Sequence, residues 1–344
     1  MDWNRNKTIA NGVLEAIGYT PMIRLSRWGK DLGADICVKL EYVNPSGSLK
    51  DRVVHEIVAR AEQRGELKPG MILLEGTTGN TGIAAAMVGA AKGYQVIIVM
   101  PEGMSEERKK TIRSYGAELV LTPGAETDVD LVIEEVNRIK ARYGERVFEI
   151  GQFVRGDNLL AHYEHTGPEI WEQTQGKLDV FIMNQGTGGT VTGTAKYLKE
   201  KNPDIKIYIS EPAESPILAY GKIGKHKVQG VADGLIPEIL DLQYIDGIVL
   251  VSSEESVATA QEIARSEGIF CGISSGCNLA AARMVAEKYP DKKMIVTIIN
   301  DNGLRYLSTA LCGSETQRQE LERVYALSKE DQEKLAEYKL EIIE

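Results

Sequence analysis

The 344-residue sequence lacks the features of membrane, metal-binding and nucleic-acid-binding proteins. No apolar run approaches the roughly 20 residues that span a bilayer, and the polar start "MDWNRNKTIANG" has no apolar segment typical of a signal peptide. Four scattered cysteines without a CxxC pair, and only four histidines, predict neither a metal site nor a disulfide framework. The net charge of -10, with no basic stripe, argues against nucleic acid or anionic membrane as a partner. We therefore expect a cytoplasmic protein.

Two familiar nucleotide motifs are also absent. The chain has no GxxxxGK[ST] sequence, which excludes a P-loop of that type. It has no GxGxxG followed by an acidic residue, so a dinucleotide-dependent oxidoreductase is disfavoured.

Strand-like and helix-like segments alternate along most of the chain. Apolar runs such as "MILLEG" and "QVIIVMP" are each followed by a helical pattern, such as "TGIAAAMVGAAKGY" or "SEERKKTIRSYGA". This rhythm predicts an α/β fold with open, twisted, mostly parallel sheets that are covered by helices on both faces. The length suits two such domains. The polar tail after Gly313 is predicted to form amphipathic helices that pack or contact a second subunit.

Two glycine-rich loops follow predicted strands, where ligands of α/β sheets bind. The glycine loop, residues 186–190 ("GTGGT"), opens a helix and suits a phosphate, although a plain tight turn has the same sequence pattern. The hydroxyl loop, residues 76–82 ("GTTGNTG"), offers several donors that suit a carboxylate, although an ordinary helix cap explains it equally well.

Lys50 follows a turn of small residues in "NPSGSLKDR" and stands at the start of a predicted helix. Most lysines at such positions are solvated surface residues, and this is the simplest interpretation of Lys50. A helix N-terminus nevertheless disfavours a cation, and this favours the neutral amine that Schiff-base chemistry needs. A phosphate loop, an anion loop and a nucleophilic lysine together suggest pyridoxal phosphate.

At this point the sequence resembles a known family, that of cysteine synthase and cystathionine β-synthase, which are pyridoxal-phosphate enzymes of fold type II. The similarity runs from "IGYTPMIRL" to "LRYLSTAL". Its motifs occur in the family's order: "NPSGSLKDR", "GTTGNTGIAAA", "QF", "TGPEIW", "GTGGTVTG", "GISSGCNLAAA" and "GLRYLST".

The resemblance implies a role for each matching residue. Lys50 would form the internal aldimine with pyridoxal 5'-phosphate, and Asn80 would lie beside the ring hydroxyl. The phosphate loop would comprise Gly186, Thr187, Gly188, Gly189 and Thr190. The substrate-binding residues would be Thr77, Thr78, Gly79, Thr81 and Gln152.

The resemblance also implies a domain arrangement. A smaller, mobile, substrate-binding α/β domain would comprise residues 47–155. A larger cofactor-binding α/β domain would comprise residues 1–46 and 156–313, and residues 314–344 would form the helical tail. The expected assembly is a homodimer.

Three residues depart from the common sulfhydrylase pattern. Asp301 falls where a serine would face the pyridine nitrogen of the cofactor. A carboxylate at this position would make the ring a stronger electron sink. If the sequence is instead matched to the family with an offset of one residue, Asp301 is a cap at the end of a strand. Thr78 replaces a serine. Asp233 falls at the predicted mouth of the site. It would act there as a base for water or bind an amine of a second substrate; the alternative is an exposed loop carboxylate without such a role.

The function that the resemblance implies is β-replacement on a serine-derived amino acid through an aminoacrylate intermediate, with a small nucleophile as second substrate. The alternative is an L-cysteine lyase that releases sulfide and leaves serine or pyruvate, which Asp233 and Asp301 favour without deciding. A third hypothesis is a non-catalytic binding protein with the same fold, against which the intact Lys50 and glycine loop argue.

Overall fold

The computed structural model describes residues 9–124, 128–232, 234–313, 327–338 and 340–344. In this part of the chain, eleven strands form a seven-stranded and a four-stranded sheet. Within the same residues, no helix has the length and apolar character needed to cross a membrane.

The larger sheet has the strand order β1-β2-β10-β7-β8-β9-β11. Its first pair, β1 and β2, is antiparallel, and all of its other neighbouring strands are parallel. The strands are β1 (Met22–Arg24), β2 (Asp35–Leu40), β7 (Val180–Asn184), β8 (Lys206–Pro212), β9 (Gly247–Val251), β10 (Met294–Ile299) and β11 (Glu341–Ile343).

The smaller sheet is wholly parallel and has the order β5-β4-β3-β6. Its strands come from one continuous stretch of chain, in contrast to those of the larger sheet. They are β3 (Ile72–Gly76), β4 (Gln95–Pro101), β5 (Glu118–Thr122) and β6 (Val147–Glu149).

Helices cover both faces of each sheet, as the alternating pattern predicts. Apolar residues of α9 and α10 pack on one face of the larger sheet and those of α6 and α7 on the other. On the smaller sheet, α1, α2 and α3 face α4 across the strands. The helices are α1 (Lys50–Arg64), α2 (Asn80–Lys92), α3 (Glu106–Ser114), α4 (Val129–Tyr143), α5 (Gly156–Ala161), α6 (Gly167–Gln173), α7 (Gly189–Lys201), α8 (Ile217–Tyr220), α9 (Ser253–Glu267), α10 (Ile273–Lys288) and α11 (Lys329–Ala336).

The fold class predicted from the sequence is confirmed, but the helical tail is only partly right. Helix α11 lies in the predicted tail, whereas β11 pairs in parallel with β9. Its sequence alternates: Leu340 and Ile342 contact one core of the larger sheet and Ile343 belongs to the core on the other face. A period of two suits a strand and not a helix. Residues 314–326 lie outside the described residues. The predicted domain boundaries stay a prediction.

A buried charge network fixes the start of α1 to the larger sheet. Arg52 pairs with Glu41 and with Glu169 at 2.7 Å each, and Lys39 of β2 pairs with Glu169 at 2.7 Å. Burial alone would raise the pKa of Glu169, but the adjacent Arg52 and Lys39 lower it to about 2. The helix that begins with Lys50 therefore packs on the smaller sheet and is held by charge to the larger one.

Candidate active site

One cavity lies where strands of both sheets end. Its lining residues follow the carboxyl ends of β3 and β6 in the smaller sheet and of β7 and β10 in the larger sheet. Because parallel strands present their carboxyl ends at one edge, loops distant in sequence meet there.

Four helices begin at the wall of this cavity. Lys50, Asn80, Thr190 and Ser274 each lie in the first turn of a different helix, namely α1, α2, α7 and α10, and all four line the cavity. A helix N-terminus carries a partial positive charge and unpaired N–H groups. The cavity is therefore built to receive anions.

Lys50 follows a turn that is fixed on both sides. The Leu49 N–H donates to the carbonyl of Asn300 at 3.0 Å, next to the end of β10. Asp51 accepts from the Ser46 N–H at 2.6 Å, and Ser46 also donates its hydroxyl to this carboxylate. Burial raises the pKa of Asp51 to about 6. The small residues of the turn allow this close packing and hold Lys50 at the cavity wall.

The glycine loop is supported by a side chain that donates to the hydroxyl oxygen of Thr187. Asn158 donates its Nδ2 hydrogen to Thr187 Oγ1 at 2.9 Å. Gly188 has a φ of 81°, which favours glycine. A Cβ on Gly189 would collide with the Asn158 amide, so this glycine permits the close support of the loop.

Thr190 contacts a neutral histidine. His162 is buried, and burial together with the positive charges of Arg52 and Lys50 holds the pKa of its imidazole well below the ordinary value. Its Nε2 lies 3.1 Å from Thr190 Oγ1, and its Nδ1 lies 2.9 Å from Thr166 Oγ1. The tautomer with hydrogen on Nε2 donates to Thr190 and leaves the threonine O–H to donate elsewhere.

The hydroxyl loop is supported differently. Thr81 donates its hydroxyl hydrogen to Gln152 Oε1 at 2.5 Å, which turns the Gln152 amide nitrogen away from this bond. The Gly79 N–H donates to Thr77 Oγ1 at 3.2 Å. Thr77, Thr81 and Gln152 all line the cavity and are almost fully buried.

Asn80 is held by a buried polar cluster. It donates its Nδ2 hydrogen to Asp301 Oδ2 at 2.7 Å, and Arg305 donates to its Oδ1. Tyr306 also donates to Asp301 Oδ2, at 2.7 Å. The second carboxylate oxygen of Asp301 is buried without a hydrogen-bond partner among the described residues. The cluster fixes the direction of the Asn80 amide.

The structure brings most of the predicted site residues to one cavity. Those that line it are Lys50, Thr77, Thr78, Gly79, Asn80, Thr81, Gln152, Gly186, Thr187, Gly188 and Thr190. Gly189 lies behind the wall. Asp301 is fully buried and does not line the cavity, so its predicted contact with the cofactor ring stays a prediction that the geometry does not favour. Asp233 lies outside the described residues.

Sequence reasoning missed several lining residues. Ser274 lies within the quoted motif "GISSGCN", but no role was derived for it, although its place after a buried segment was a usable signal. Asn300 donates to the Ser274 hydroxyl at 3.0 Å and lines the cavity beside it. No sequence pattern indicates a site role for Arg108, because the charged sequence "SEERKK" is typical of a solvated helix face.

The comparison with known proteins agrees with this geometry. Residues 13–301 match the model of the family described as "Pyridoxal-phosphate dependent enzyme". A cysteine synthase of Staphylococcus aureus is 43% identical over 302 residues, which are 88% of this chain and 96% of that protein. The chain belongs to this family. Its resemblance to cysteine synthase and its use of pyridoxal 5'-phosphate are thereby confirmed.

Solved structures of the family have closely similar folds. A crystal structure of O-ureido-L-serine synthase has a TM-score of 0.85 and 38% identity, covering 91% of this chain and 98% of that chain. A hydrogen sulfide-producing enzyme from Fusobacterium nucleatum has a TM-score of 0.84 and 39% identity, covering 87% and 100%. The predicted reaction class, pyridoxal-phosphate-dependent β-replacement or β-elimination, is therefore also confirmed.

The residues present fit this cofactor. The glycine loop, at the N-terminus of α7, offers a cradle of N–H and O–H donors for a phosphate. Lys50 lines the same cavity, with an amine for an aldehyde. Ser274 and Asn80 line the same cavity and offer polar groups for a ring.

Proposed function

We propose that the protein makes cysteine or a closely related amino acid by β-replacement on a serine-derived donor. The observation that carries this proposal is the meeting of Lys50, the glycine loop and the hydroxyl loop in one cavity. The cysteine synthase relative supports the choice of substrate class.

Pyridoxal phosphate, when bound, supplies an electron sink that stabilises negative charge at the substrate Cα. The residues Gly186, Thr187, Gly188, Gly189 and Thr190 would hold its phosphate, and Lys50 its aldehyde carbon. Ser274 lines the cavity and is proposed to contact the ring nitrogen, with Asn80 at the ring hydroxyl.

Lys50 is proposed as the base that takes the proton from the substrate Cα. Its backbone follows a turn that is fixed to the larger sheet through Leu49, and its side chain lines the cavity. The β-substituent then leaves and a nucleophile adds at Cβ. Thr77, Thr81 and Gln152 are almost fully buried in the cavity wall and are proposed to limit the access of water to this step.

The hydroxyl loop is proposed to bind the substrate carboxylate. Thr77, whose oxygen accepts from the Gly79 N–H, can donate its hydroxyl hydrogen, and Gln152 can donate from its amide nitrogen. Thr78 and the loop N–H groups at the start of α2 add further donors.

Asp301 is proposed to act on the cofactor through Asn80. Its carboxylate accepts from the Asn80 amide and so fixes the direction of this side chain, which lines the cavity. This role requires no direct contact with the ring.

A second candidate function is L-cysteine breakdown with release of sulfide. The similarity to a hydrogen sulfide-producing enzyme favours it. In this reaction Asp233 is proposed as a base for water, and the products are sulfide with serine or pyruvate. The Asp233→Ala substitution tests this role: undiminished lyase activity would exclude it.

One product assay separates the two candidates. The purified protein with bound cofactor is given L-cysteine alone, and sulfide, serine and pyruvate are followed together. It is then given O-acetyl-L-serine, O-phospho-L-serine or L-serine with sulfide. Fast cysteine formation with little sulfide release supports synthesis, and the reverse supports the lyase. If the protein catalyses neither reaction, both candidates are contradicted.

We also propose that the enzyme is a homodimer, as its resemblance implies, and that it is cytoplasmic, as its sequence composition predicts. Sedimentation analysis of the purified protein tests the assembly, and a monomer over the working concentration range would contradict it.

A further inference from the structure

Arg108 is a buried cation in the wall of the cavity. It lies on α3 with 2% of its surface exposed, and it lines the same cavity as Lys50. Large charged side chains are rarely buried to this extent unless a partner compensates the charge.

The guanidinium of Arg108 contacts two neutral side chains. Its carbon lies 4.6 Å from the centre of the Tyr306 ring, and one terminal nitrogen donates to Gln229. Within the part of the chain that the structure describes, its Nε is buried without a hydrogen-bond partner, and the contacts found for the guanidinium are with Gln229 and Tyr306 rather than with a carboxylate.

A second buried arginine lies close enough to Arg108 to feel its charge. Burial, followed by repulsion from Arg108, lowers the pKa of Arg305, although Asp301 and Asp51 oppose this effect. An uncompensated buried cation is costly. The charge of Arg108 is therefore placed where an incoming anion would relieve this cost.

Arg108 lies directly against the hydroxyl loop. A Cβ on Gly79 would collide with Cδ and Nε of Arg108, so the glycine at this position permits the contact. The hydroxyl loop itself carries no charged side chain. Arg108 thus adds a full positive charge to a loop whose other donors are neutral.

We propose that Arg108 is a substrate-binding residue that holds an anionic group, carboxylate or phosphate, of the amino-acid substrate. The inference rests on the proposed function and extends it. The anion has two possible sources: the α-carboxylate, which every amino-acid substrate carries, or an anionic substituent at the β-position. Both are recognised by the same guanidinium chemistry.

The test measures ligand affinity of the holoenzyme by the change in cofactor absorbance and by calorimetry. The ligands are L-serine, O-phospho-L-serine and L-serinamide, which has no carboxylate. The variants are Arg108→Met, which replaces the buried charge with an apolar chain of similar length, and Arg108→Lys, which keeps the charge. Arg113→Gln, an exposed arginine of the same helix, is the matched control.

We expect Arg108→Met to weaken O-phospho-L-serine binding about 10- to 100-fold, the range of hydrogen bonds to charged groups, because this ligand carries both anions. L-Serinamide binding stays within about twofold, Arg108→Lys recovers most of the loss, and Arg113→Gln behaves as wild type. Equal losses for L-serine and O-phospho-L-serine identify the α-carboxylate, and a loss for O-phospho-L-serine alone identifies the β-substituent.

Unchanged affinity for both anionic ligands would overturn the inference. So would an equal loss for L-serinamide, since that pattern indicates a structural role. If Arg108→Met does not fold, as judged by thermal unfolding, Arg108→Gln replaces it, because a polar amide retains a partner for Gln229. If the wild-type protein binds none of the three ligands, the proposed function fails, and this inference fails with it.

Discussion

The glycine loop and the hydroxyl loop have the same architecture and different chemistry. Each follows a parallel strand, opens a helix and lines one cavity, but they belong to different sheets. In the glycine loop, the side chain of Asn158 donates to Thr187, so the threonine hydrogen can point to a ligand. In the hydroxyl loop, Thr81 already donates its hydrogen to Gln152.

The charge around the two loops differs as well. Thr190 of the glycine loop contacts His162, which is neutral because it is buried. The hydroxyl loop contacts Arg108, which is positively charged. The comparison teaches that a shared turn geometry does not determine the ligand: the direction of hydroxyl hydrogens and the nearest charged side chain do.

The largest effect is expected at the lysine between the loops. Lys50→Ala removes the group proposed to move the Cα proton, and the rate should fall at least about 10²- to 10⁴-fold. Initial rates at saturating substrate measure it. Lys110→Ala, on the exposed face of α3, is the control and should retain full activity. Full activity of Lys50→Ala would contradict the role of Lys50 in moving the Cα proton.

The next effect concerns Asn80, which lies in the hydroxyl loop but is proposed to serve the cofactor. Asp301→Asn replaces an obligate acceptor with an amide that can present N–H to Asn80. We expect a shifted cofactor absorption band and about tenfold slower turnover, the effect of one lost hydrogen bond to a charged group. An unchanged spectrum would show that Asp301 does not act through Asn80.

A matched pair of substitutions tests the division of labour between the loops. Thr190→Val should weaken cofactor binding about five- to tenfold, through one hydrogen bond lost to the phosphate. Thr81→Val should weaken amino-acid binding by a similar factor, because the hydrogen bond that orients Gln152 is lost. Titration of the apoenzyme with cofactor measures the first and ligand titration of the holoenzyme the second. If both variants lose the same affinity, the loops are not specialised.

The smallest effect on catalysis is expected at two buried glutamates, one in a strand of each sheet. Burial raises the pKa of Glu75 in β3 and of Glu211 in β8 to about 8 each. A folded pKa above the unfolded value of 4.5 means that each contributes stability that is complete below pH 4.5 and is lost as the pH rises through 8.

Glu75→Gln should therefore flatten the pH dependence of the unfolding free energy between pH 4.5 and 8, by at most about 1.4 kcal/mol per pH unit. Denaturant unfolding over this range measures it. Glu211→Gln should flatten it similarly and leave amino-acid binding unchanged, because Glu75 contacts Gly151 beside Gln152 and Glu211 contacts α8. An unaltered slope in both variants would contradict protonation of these carboxyls.

Much of the fold could be predicted from the sequence, because strands such as β4 and β10 are mostly apolar and parallel sheets bury both faces. Strand β2 was not predicted. Its sequence contains Lys39, which interrupts the apolar pattern, and a sequence does not reveal that Glu169, far along the chain, pairs with this lysine.

The candidate site was predictable where a loop motif carries its chemistry locally, as in the two glycine-rich loops. It was not predictable where the role depends on packing. The position of Asp301 after β10 predicts a contact with the cofactor ring, and this stays a prediction; the sequence does not reveal that Asn80 and Tyr306 both donate to one of its carboxylate oxygens. Arg108 reads as a surface residue, but Gly79 and Tyr306 enclose it.

The pairing of β2 with β10 also has a consequence for the order of folding. These neighbours in the larger sheet lie near opposite ends of the described chain, whereas the smaller sheet uses one continuous segment. Pairing of distant segments requires closure of a long loop and is slow. We therefore expect the amides of β3 and β4 to gain protection from hydrogen exchange before those of β2 and β10, so that the cavity wall formed by the larger sheet is completed last.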